Sequence, residues 1–293
     1  MSQSRTALDD NEYAGRFNRL NGAINNLSFN IRKDWRTVPP WLERYVSTDA
    51  LKTGKQEMTA VGRAVISKWL VDELFDSVFH PGLEPSFSHQ LKEVELSIRD
   101  NAYTMNSQEE FDALTTKIVQ WRMATLDGLH KYLQSQQAAD NRQNLTTRAT
   151  SSLTDSLYQY LSSPPPPGVD SSASTIVELA IGIVANLPME SRDVVISYPL
   201  PESPLLPSHM EVEKGELPAP EGFGSSSDSD DDADKDKNKN GTWKTASNGG
   251  VDTRLTESHL APPKEPSRVR FAGFVTLEVR GRQVLMKAPV WTL

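Results

Sequence analysis

The most continuous hydrophobic pattern in the chain runs from Lys55 to Phe79 and predicts a buried helix. This stretch contains no proline and one internal glycine, Gly62. At about 100° per residue its apolar positions cover most of the helix circumference: Met58, Val61, Ala64, Val65, Ile66, Trp69, Leu70, Val71, Leu74, Phe75, Val78 and Phe79. A helix that is apolar on most sides is buried on most sides. We therefore expect residues 55–79 to form the central helix of an all-α domain.

Five further helices are predicted from the helical period and from capping signals. A capping box, Ser107 to Glu110, opens one of them, because the two side chains satisfy free backbone N–H groups at the helix start. Prolines at 39–40 and at 164–167 mark two of the breaks between helices. The five helices are expected at about residues 12–35, 86–98, 108–136, 145–161 and 174–187. Six helices joined by short loops fit an irregular helical bundle.

The predicted helix at 86–98 carries a narrow apolar stripe. Phe87, Leu91, Val94 and Ile98 recur at spacings of three and four residues. This spacing places them along one side of a helix, and Ser86 can act as its N-cap.

Towards the C-terminus the pattern changes to that of strands. Val194–Ile196 is short and β-branched and predicts a strand. Residues 269–279 alternate with one apolar face, and Arg280-Gly281 predicts a two-residue turn into a partner strand at 283–287. A hairpin on its own is marginal in water. We therefore expect this hairpin to pair with residues 194–197 or to lie on the helical body.

Between these parts, residues 199–267 show no periodicity and predict disorder. Prolines, serines, glycines and like charges cannot bury enough apolar area to offset the entropy of ordering. The predicted fold is therefore mainly α: an irregular bundle of about six helices, a small C-terminal β-hairpin or three-stranded sheet, and a long disordered acidic linker. The expected divisions are a disordered N-terminus (1–11), a helical domain (12–198), the linker (199–267) and a basic hairpin (268–293).

Charge and composition exclude several classes of function. The net charge is −8, and residues 201–267 hold fourteen acidic and seven basic residues, whereas residues 268–293 hold five basic and one acidic. An acidic body argues against nucleic-acid binding by phosphate neutralisation. The chain has no cysteine, which excludes disulfides, thiolate metal sites and cysteine nucleophiles. The N-terminus lacks the apolar core of a signal peptide, and no apolar run reaches the roughly 20 residues of a membrane span. We expect an intracellular protein, cytoplasmic or nuclear, that is not secreted.

The strongest candidate for chemistry is an acidic cluster near the end of the central helix. Asp72, Asp76 and His80 stand at i, i+4 and i+8, and paired carboxylates at this spacing can bind Mg²⁺. The cluster resembles the aspartate-rich diphosphate-binding motif of terpene and prenyl synthases, which implies a magnesium-dependent enzyme. The second metal motif of that family is missing, however, and Pro81 ends the helix after His80. The other interpretation is a solvated edge of a buried helix.

Other motifs are weaker. Asp236, Asn238, Asn240 and Gly241 match the first half of a calcium loop, but position 12 is Ser247 where a glutamate is needed. The five histidines have no metal-ligand spacing, and no phosphate loop, dinucleotide fingerprint or nucleophile elbow is found. Arginine 122 is expected to pair with a neighbouring acidic residue or to reach a ligand carboxylate. We expect no cofactor.

Two stretches resemble an uncharacterised helical domain family of filamentous fungi. They are FNRLNGAINNLSFNIRKDWRTVPPWL (residues 17–42) and TAVGRAVISKWLVDELFDSVFHPGLEP (residues 59–85). In that family the domain often follows long coiled-coil segments, which this sequence lacks. The resemblance spans roughly residues 13–200 and implies a helical fold and no particular activity.

These patterns favour a non-enzymatic protein–protein interaction or scaffold module with an unknown partner. The alternative is a magnesium-dependent enzyme or small-molecule binder that uses the Asp72/Asp76 face. A third hypothesis is contact with RNA or a membrane surface through the basic hairpin.

The acidic linker generates a first testable prediction. Ser225, Ser227 and Ser229 are each followed three residues later by an aspartate, the pattern read by acid-directed kinases. Mass spectrometry of the native protein should find phosphate on these serines. Unmodified serines would instead indicate a linker that only aids solubility.

Overall fold

The computed structural model describes residues 8–54, 56–100, 106–221 and 267–293. Eight α-helices lie in these ranges: α1 (Asp10–Asn30), α2 (Pro40–Glu43), α3 (Ala50–Thr53), α4 (Gln56–Leu70), α5 (Pro85–Asp100), α6 (Gln108–Leu133), α7 (Gln136–Tyr158) and α8 (Val169–Val184). A π-helical turn, Val71–Phe75, continues α4, and a 3₁₀ turn, Leu187–Met189, follows α8. Six of these helices are long, so the prediction of a mainly helical fold is confirmed.

Helix α4 is the centre of the core, as predicted. Helix α1 packs along α4 and along α8, and α8 also packs on α7. Residues on nearly every side of α4 are buried, among them Met58, Val61 and Ile66. The backbones of α1 and α4 approach closely at Gly62, where a Cβ atom would stand 2.9 Å from the Cβ of Ser28. A glycine is needed there because any side chain would push the two helices apart.

Helix α8 is apolar enough to resemble a membrane span. Among the described residues, one segment, Val169–Met189, passes a test of length and composition for crossing a bilayer. Its apolar residues lie in the core with α1 and α7, and Ile176, Val177 and Ile181 are at most 1% exposed. This burial is that of the core helix of a folded domain.

Six strands are found in the described part of the chain: β1 (Val194–Ser197), β2 (Met210–Val212), β3 (Val269–Ala272), β4 (Thr276–Val279), β5 (Gln283–Met286) and β6 (Ala288–Thr292). They form two sheets of three strands within those residues, in the orders β1-β4-β5 and β2-β6-β3. All pairs are antiparallel except β2 with β6. The predicted pairing of the hairpin with residues 194–197 is confirmed, because Val194 pairs with Val279 and Ser197 with Thr276.

The prediction of one continuous strand over residues 269–279 is wrong. The chain leaves the sheet of β2, β6 and β3 at Gly273, and Phe274 and Val275 are fully buried among the helices before β4 begins. A Cβ atom on Gly273 would stand 2.9 Å from the guanidinium carbon of Arg63, so a larger residue there would displace the Arg63 side chain. The turn after β4 has three residues, 280–282, rather than two, with Gly281 at φ +69°.

The predicted linker begins too early. Residues 199–221 are ordered: Val269 donates a backbone hydrogen bond to Ser203 O (2.9 Å), and Leu205 donates one to Ser267 O (2.9 Å). Strand β2 then pairs with β6. The extended partners come from the distant C-terminus, and so local periodicity does not reveal them. Residues 222–266, with the calcium-like stretch and Ser225, Ser227 and Ser229, lie outside the described residues.

Three helix starts also differ from the prediction, and one of them is α8, which begins at Val169 rather than at residue 174. Asp9 caps α1, accepting from Glu12 N at 2.7 Å, so order begins before residue 12. Helix α7 starts at Gln136 rather than near residue 145, because Ser135 caps it and accepts from Ala138 N at 3.3 Å. Asn141 attaches the polar first turns of α7 to the segment before α5, because its side chain donates to Gly82 O (3.2 Å).

A buried ion pair fastens the C-terminal strands to the start of α4. Arg270 on β3 and Glu57 on α4 are bonded to each other with side chains 2% and 1% exposed. Arg270 also donates to Tyr45 O (2.6 Å) and Pro218 O (2.8 Å). Glu57 accepts from both the N–H and the hydroxyl of Ser47. The Arg270 guanidinium therefore joins β3 to the segments around Tyr45, Glu57 and Pro218.

This ion pair generates a second testable prediction. The substitution Arg270→Met should lower the free energy of unfolding by about 3–5 kcal/mol, because Glu57 is left as a buried charge without compensation. The double variant with Glu57→Leu should lose less than Arg270→Met alone. Denaturant unfolding measures both, with the exposed Arg268→Met as control. A loss below about 1 kcal/mol for Arg270→Met would contradict this role.

Candidate functional site

Helix α5 is attached to the body by its polar side. Ser88 and Glu95 are its buried residues, whereas Phe87 and Val94, which belong to the predicted apolar stripe, are 41% and 44% exposed. Leu91 alone among these three stripe positions contacts the apolar cluster formed with Phe79 and α6. The helix therefore covers a polar layer and leaves apolar side chains at the surface. Two depressions lie beneath it, on either side of residues 73–80.

The structure separates the three residues of the predicted acidic cluster. Helix α4 widens into the π-helical turn, where Asp76 N donates to Val71 O at 2.9 Å, and the helix ends there. The i, i+4, i+8 alignment assumed for Asp72, Asp76 and His80 is therefore wrong. Asp72 is half exposed and pairs with Lys68 at 2.6 Å. Asp76 lines one depression and His80 lines the other. No group of three metal-ligating side chains occurs in the described ranges.

The first depression, which we call the apolar groove, lies between α5, α7 and the end of α4. It has a volume of about 350 Å³, within the range of small ligand sites. Its apolar walls are Trp69, Leu74, Val78, Leu83, Leu145 and Ala149, and its polar rim holds Glu73, His89, Arg148 and Ser152. Past Trp69 and Arg148 it continues into an open polar channel along α7. The groove is thus apolar at its base and open along one side.

His80 is held in the neutral form at the groove. Its Nδ1 accepts a hydrogen bond from Gly82 N at 3.0 Å, which assigns the proton to Nε2. The hydroxyl of Ser88 accepts from His80 N and Phe79 N and donates to His80 O. Burial, with a smaller contribution from Arg142, lowers the pKa of His80 to about 4. The imidazole is therefore uncharged near neutral pH and is a poor general base there.

The second depression, which we call the charged cleft, has a volume of about 160 Å³. Arg99 joins its two walls: it donates to both oxygens of Asp193 (2.8 and 2.6 Å) and to Glu95 (2.7 Å). Arg122, 2% exposed, donates to the backbone oxygens of Arg192 (2.8 Å) and Glu190 (3.3 Å). Lys92, Asp76 and Arg280 complete the polar lining, and the remaining walls are apolar.

The cleft perturbs its titratable groups in opposite directions. Burial alone would raise the pKa of Glu95, but Lys92, Arg99 and Arg122 outweigh it and bring that pKa down to about 2. Asp76 has a raised pKa, mainly because burial disfavours its charged form and only partly because of Asp72. Opposed shifts of this kind mark a site whose charges are set by their surroundings.

The expectation that Arg122 pairs with a neighbouring acid is confirmed, since its Nη1 lies 3.9 Å from Glu95 and 3.8 Å from Asp193. Of the other polar cleft residues, Asp76 was a predicted candidate, whereas Lys92, Glu95, Arg99 and Arg280 were not predicted. A signal for them exists, because Ser88, Lys92, Glu95 and Arg99 also recur at helical spacing. Sequence alone does not say which of two stripes on one helix is buried.

His80 generates a third testable prediction. Because its pKa is lowered from 6.5 to about 4 in the folded state, the unfolded chain binds its proton first as the pH falls. The free energy of unfolding therefore keeps its full value above pH 6.5 and falls by about 3 kcal/mol between pH 6.5 and pH 4. The variant His80→Asn, whose Oδ1 can accept from Gly82 N, should lack this dependence.

Urea unfolding at several pH values tests it, with the exposed His130→Asn as control. An NMR titration of His80 with a midpoint near 6.5 would contradict the prediction.

Comparison with known proteins adds no relative. No protein-family model matches the chain, and neither a curated protein nor a solved structure does. The resemblance of residues 17–42 and 59–85 to a fungal helical family therefore stays a prediction, and function has to be argued from the two depressions themselves.

Proposed function

We propose that this protein is a non-enzymatic interaction module whose apolar groove receives a side chain from a partner protein. The observation that carries the proposal is the shape and lining of the groove. An apolar base open along one side, continuous with a polar channel beside α7, fits an extended or helical segment better than an enclosed small molecule.

The surroundings of the groove support this proposal. Helix α5 also borders the groove, and its exposed apolar residues Phe87, Val94 and Leu96 add contact area for a partner. Interfaces of this kind combine a buried apolar anchor with a polar rim. Glu73, Arg148 and His89 provide such a rim around the groove.

The groove offers little for catalysis. His80 is neutral and bonded through Nδ1, and Ser88 uses its hydroxyl for backbone groups. A nucleophile next to a base that is itself oriented by a third group is the usual requirement for covalent catalysis. Among the described lining residues we find no such arrangement.

A small-molecule binder is the second candidate, and one observation favours it. Asp76, one of the two aspartates of that hypothesis, lines the charged cleft together with Arg122, whereas Asp72 does not. The magnesium version of the hypothesis loses support, because the carboxylates of Asp76 and Glu95 sit among Lys92, Arg99, Arg122 and Arg280. A divalent cation would be repelled by these groups.

The proposal generates a fourth testable prediction. Ser152 is exposed and lines both the groove and the channel, so Ser152→Trp should fill the groove without disturbing the core. The matched control is Gln143→Trp, an exposed position on α7 outside the lining. Partners captured by the full chain should be identified by mass spectrometry, purified, and titrated against all three proteins.

A partner that uses the groove should bind Ser152→Trp at least about tenfold more weakly. The reason is that the loss of one buried anchor weakens the binding free energy by about 1.4 kcal/mol or more. It should bind Gln143→Trp as it binds the unsubstituted chain. Equal binding to all three proteins would refute the groove as the contact surface.

A further inference from the structure

The charged cleft holds a cation whose side chain is incompletely satisfied. Arg122 is 2% exposed, and its Nε has no hydrogen-bond partner among the described residues. Its Nη2 is used by two backbone oxygens. Its Nη1 lies 3.8 Å or more from the nearest carboxylate oxygens, beyond hydrogen-bond distance. A buried guanidinium left in this state is unfavourable unless something else accepts from it.

The carboxylates nearby are already engaged elsewhere. Both oxygens of Asp193 accept from Arg99, and Glu95 accepts from Arg99 and Lys92. Asp76 is the remaining carboxylate of the lining. The cleft therefore sets four cationic side chains against the three carboxylates of Asp76, Glu95 and Asp193, which is an excess of one positive charge.

The apolar walls of the cleft strengthen the attraction of these cations for an anion. Phe75, Val78, Phe79, Leu187 and Pro188 line the same cleft. Electrostatic attraction is stronger next to such a low-dielectric wall than in water. The volume of about 160 Å³ corresponds to about five water molecules, which is room for a carboxylate or phosphate group with a few attached carbons.

We propose that the charged cleft binds a small oxyanion, a carboxylate or a phosphate, through Arg122 at its base and Arg280 and Lys92 at its rim. Arg122 is the most buried of the three side chains, at 2% exposure. Arg280 is positioned by Asp193, 3.4 Å from its Nε, and stands at 23% side-chain exposure. Lys92 reaches the cleft from α5, where it lies 3.3 Å from Glu95.

This site is independent of the groove proposed above. The two depressions have different linings and share only Val78 and the cover of α5. A partner protein that binds at the groove does not require an anion in the cleft, and loss of one site leaves the other proposal standing.

The test is an NMR titration of the full chain with sodium sulfate, which stays a dianion between pH 5 and 8. The Nε–H signals of the arginines are observed, with the Arg122 signal assigned from an Arg122→Lys variant. Sodium chloride at matched ionic strength controls for screening. We expect a saturable shift of the Arg122 signal with sulfate and none with chloride.

Two variants locate the site. Arg280→Gln and Lys92→Gln should each weaken sulfate binding at least about tenfold, the loss expected for a hydrogen bond to a charged group. Lys92 lies on a surface helix, so its variant keeps the test meaningful if Arg280→Gln fails to fold. The control is Arg268→Gln, an exposed arginine at the edge of the other sheet, which should bind sulfate normally.

Any of three results from the sulfate titrations would overturn the proposal. They are a linear shift without saturation, an equal shift with chloride, and unchanged sulfate binding in Lys92→Gln. A saturable response of the cleft to magnesium chloride would also refute it, because it would make the cleft a cation site.

Discussion

The structure depends on the need to cover helix α4 on nearly all sides. A helix with apolar residues around its circumference cannot rest on one neighbour, and α1 covers only the side where Gly62 meets Ser28. The chain completes the enclosure with residues from its far end, because Phe271 on β3 and Phe274 after it are fully buried in the same cluster as the helices. The C-terminal strands are therefore part of the core. Their position is fixed by the buried pair of Glu57 and Arg270.

Helix α5 stands apart from this hydrophobic assembly. It is joined to the body through Ser88, Glu95 and Arg99, with Leu91 as a small apolar contact. Burying ion pairs gives little net stability, since the desolvation of each charge offsets most of the attraction. The helix thus defines the two depressions beneath it without the dense apolar packing that would fill them. Its exposed apolar side remains available at the surface.

The π-helical turn at Val71–Phe75 decides how the polar groups are used. Turns of this kind are rare and often lie at functional sites. Here it separates three residues that a regular helix would align, so that Asp72 pairs with Lys68, Asp76 enters the charged cleft and His80 enters the apolar groove. The outcome weakens the idea of a magnesium centre. It leaves one apolar and one cationic depression side by side.

Much of the architecture was determined by the sequence alone. The all-round apolar pattern of residues 55–79 identified the central helix, capping at Ser107 placed the start of α6, and the β-branched run at Val194 predicted a strand and its partner. These features are local, since each depends on residues within a few turns or on one face of an element. Tertiary structure alone decided the rest. Two stripes on α5 compete for burial, and only the positions of Arg99 and Asp193 select the polar one. Residues 199–221 become ordered because β3 and β6, some 60 residues away or more, supply hydrogen-bond partners that no local pattern contains.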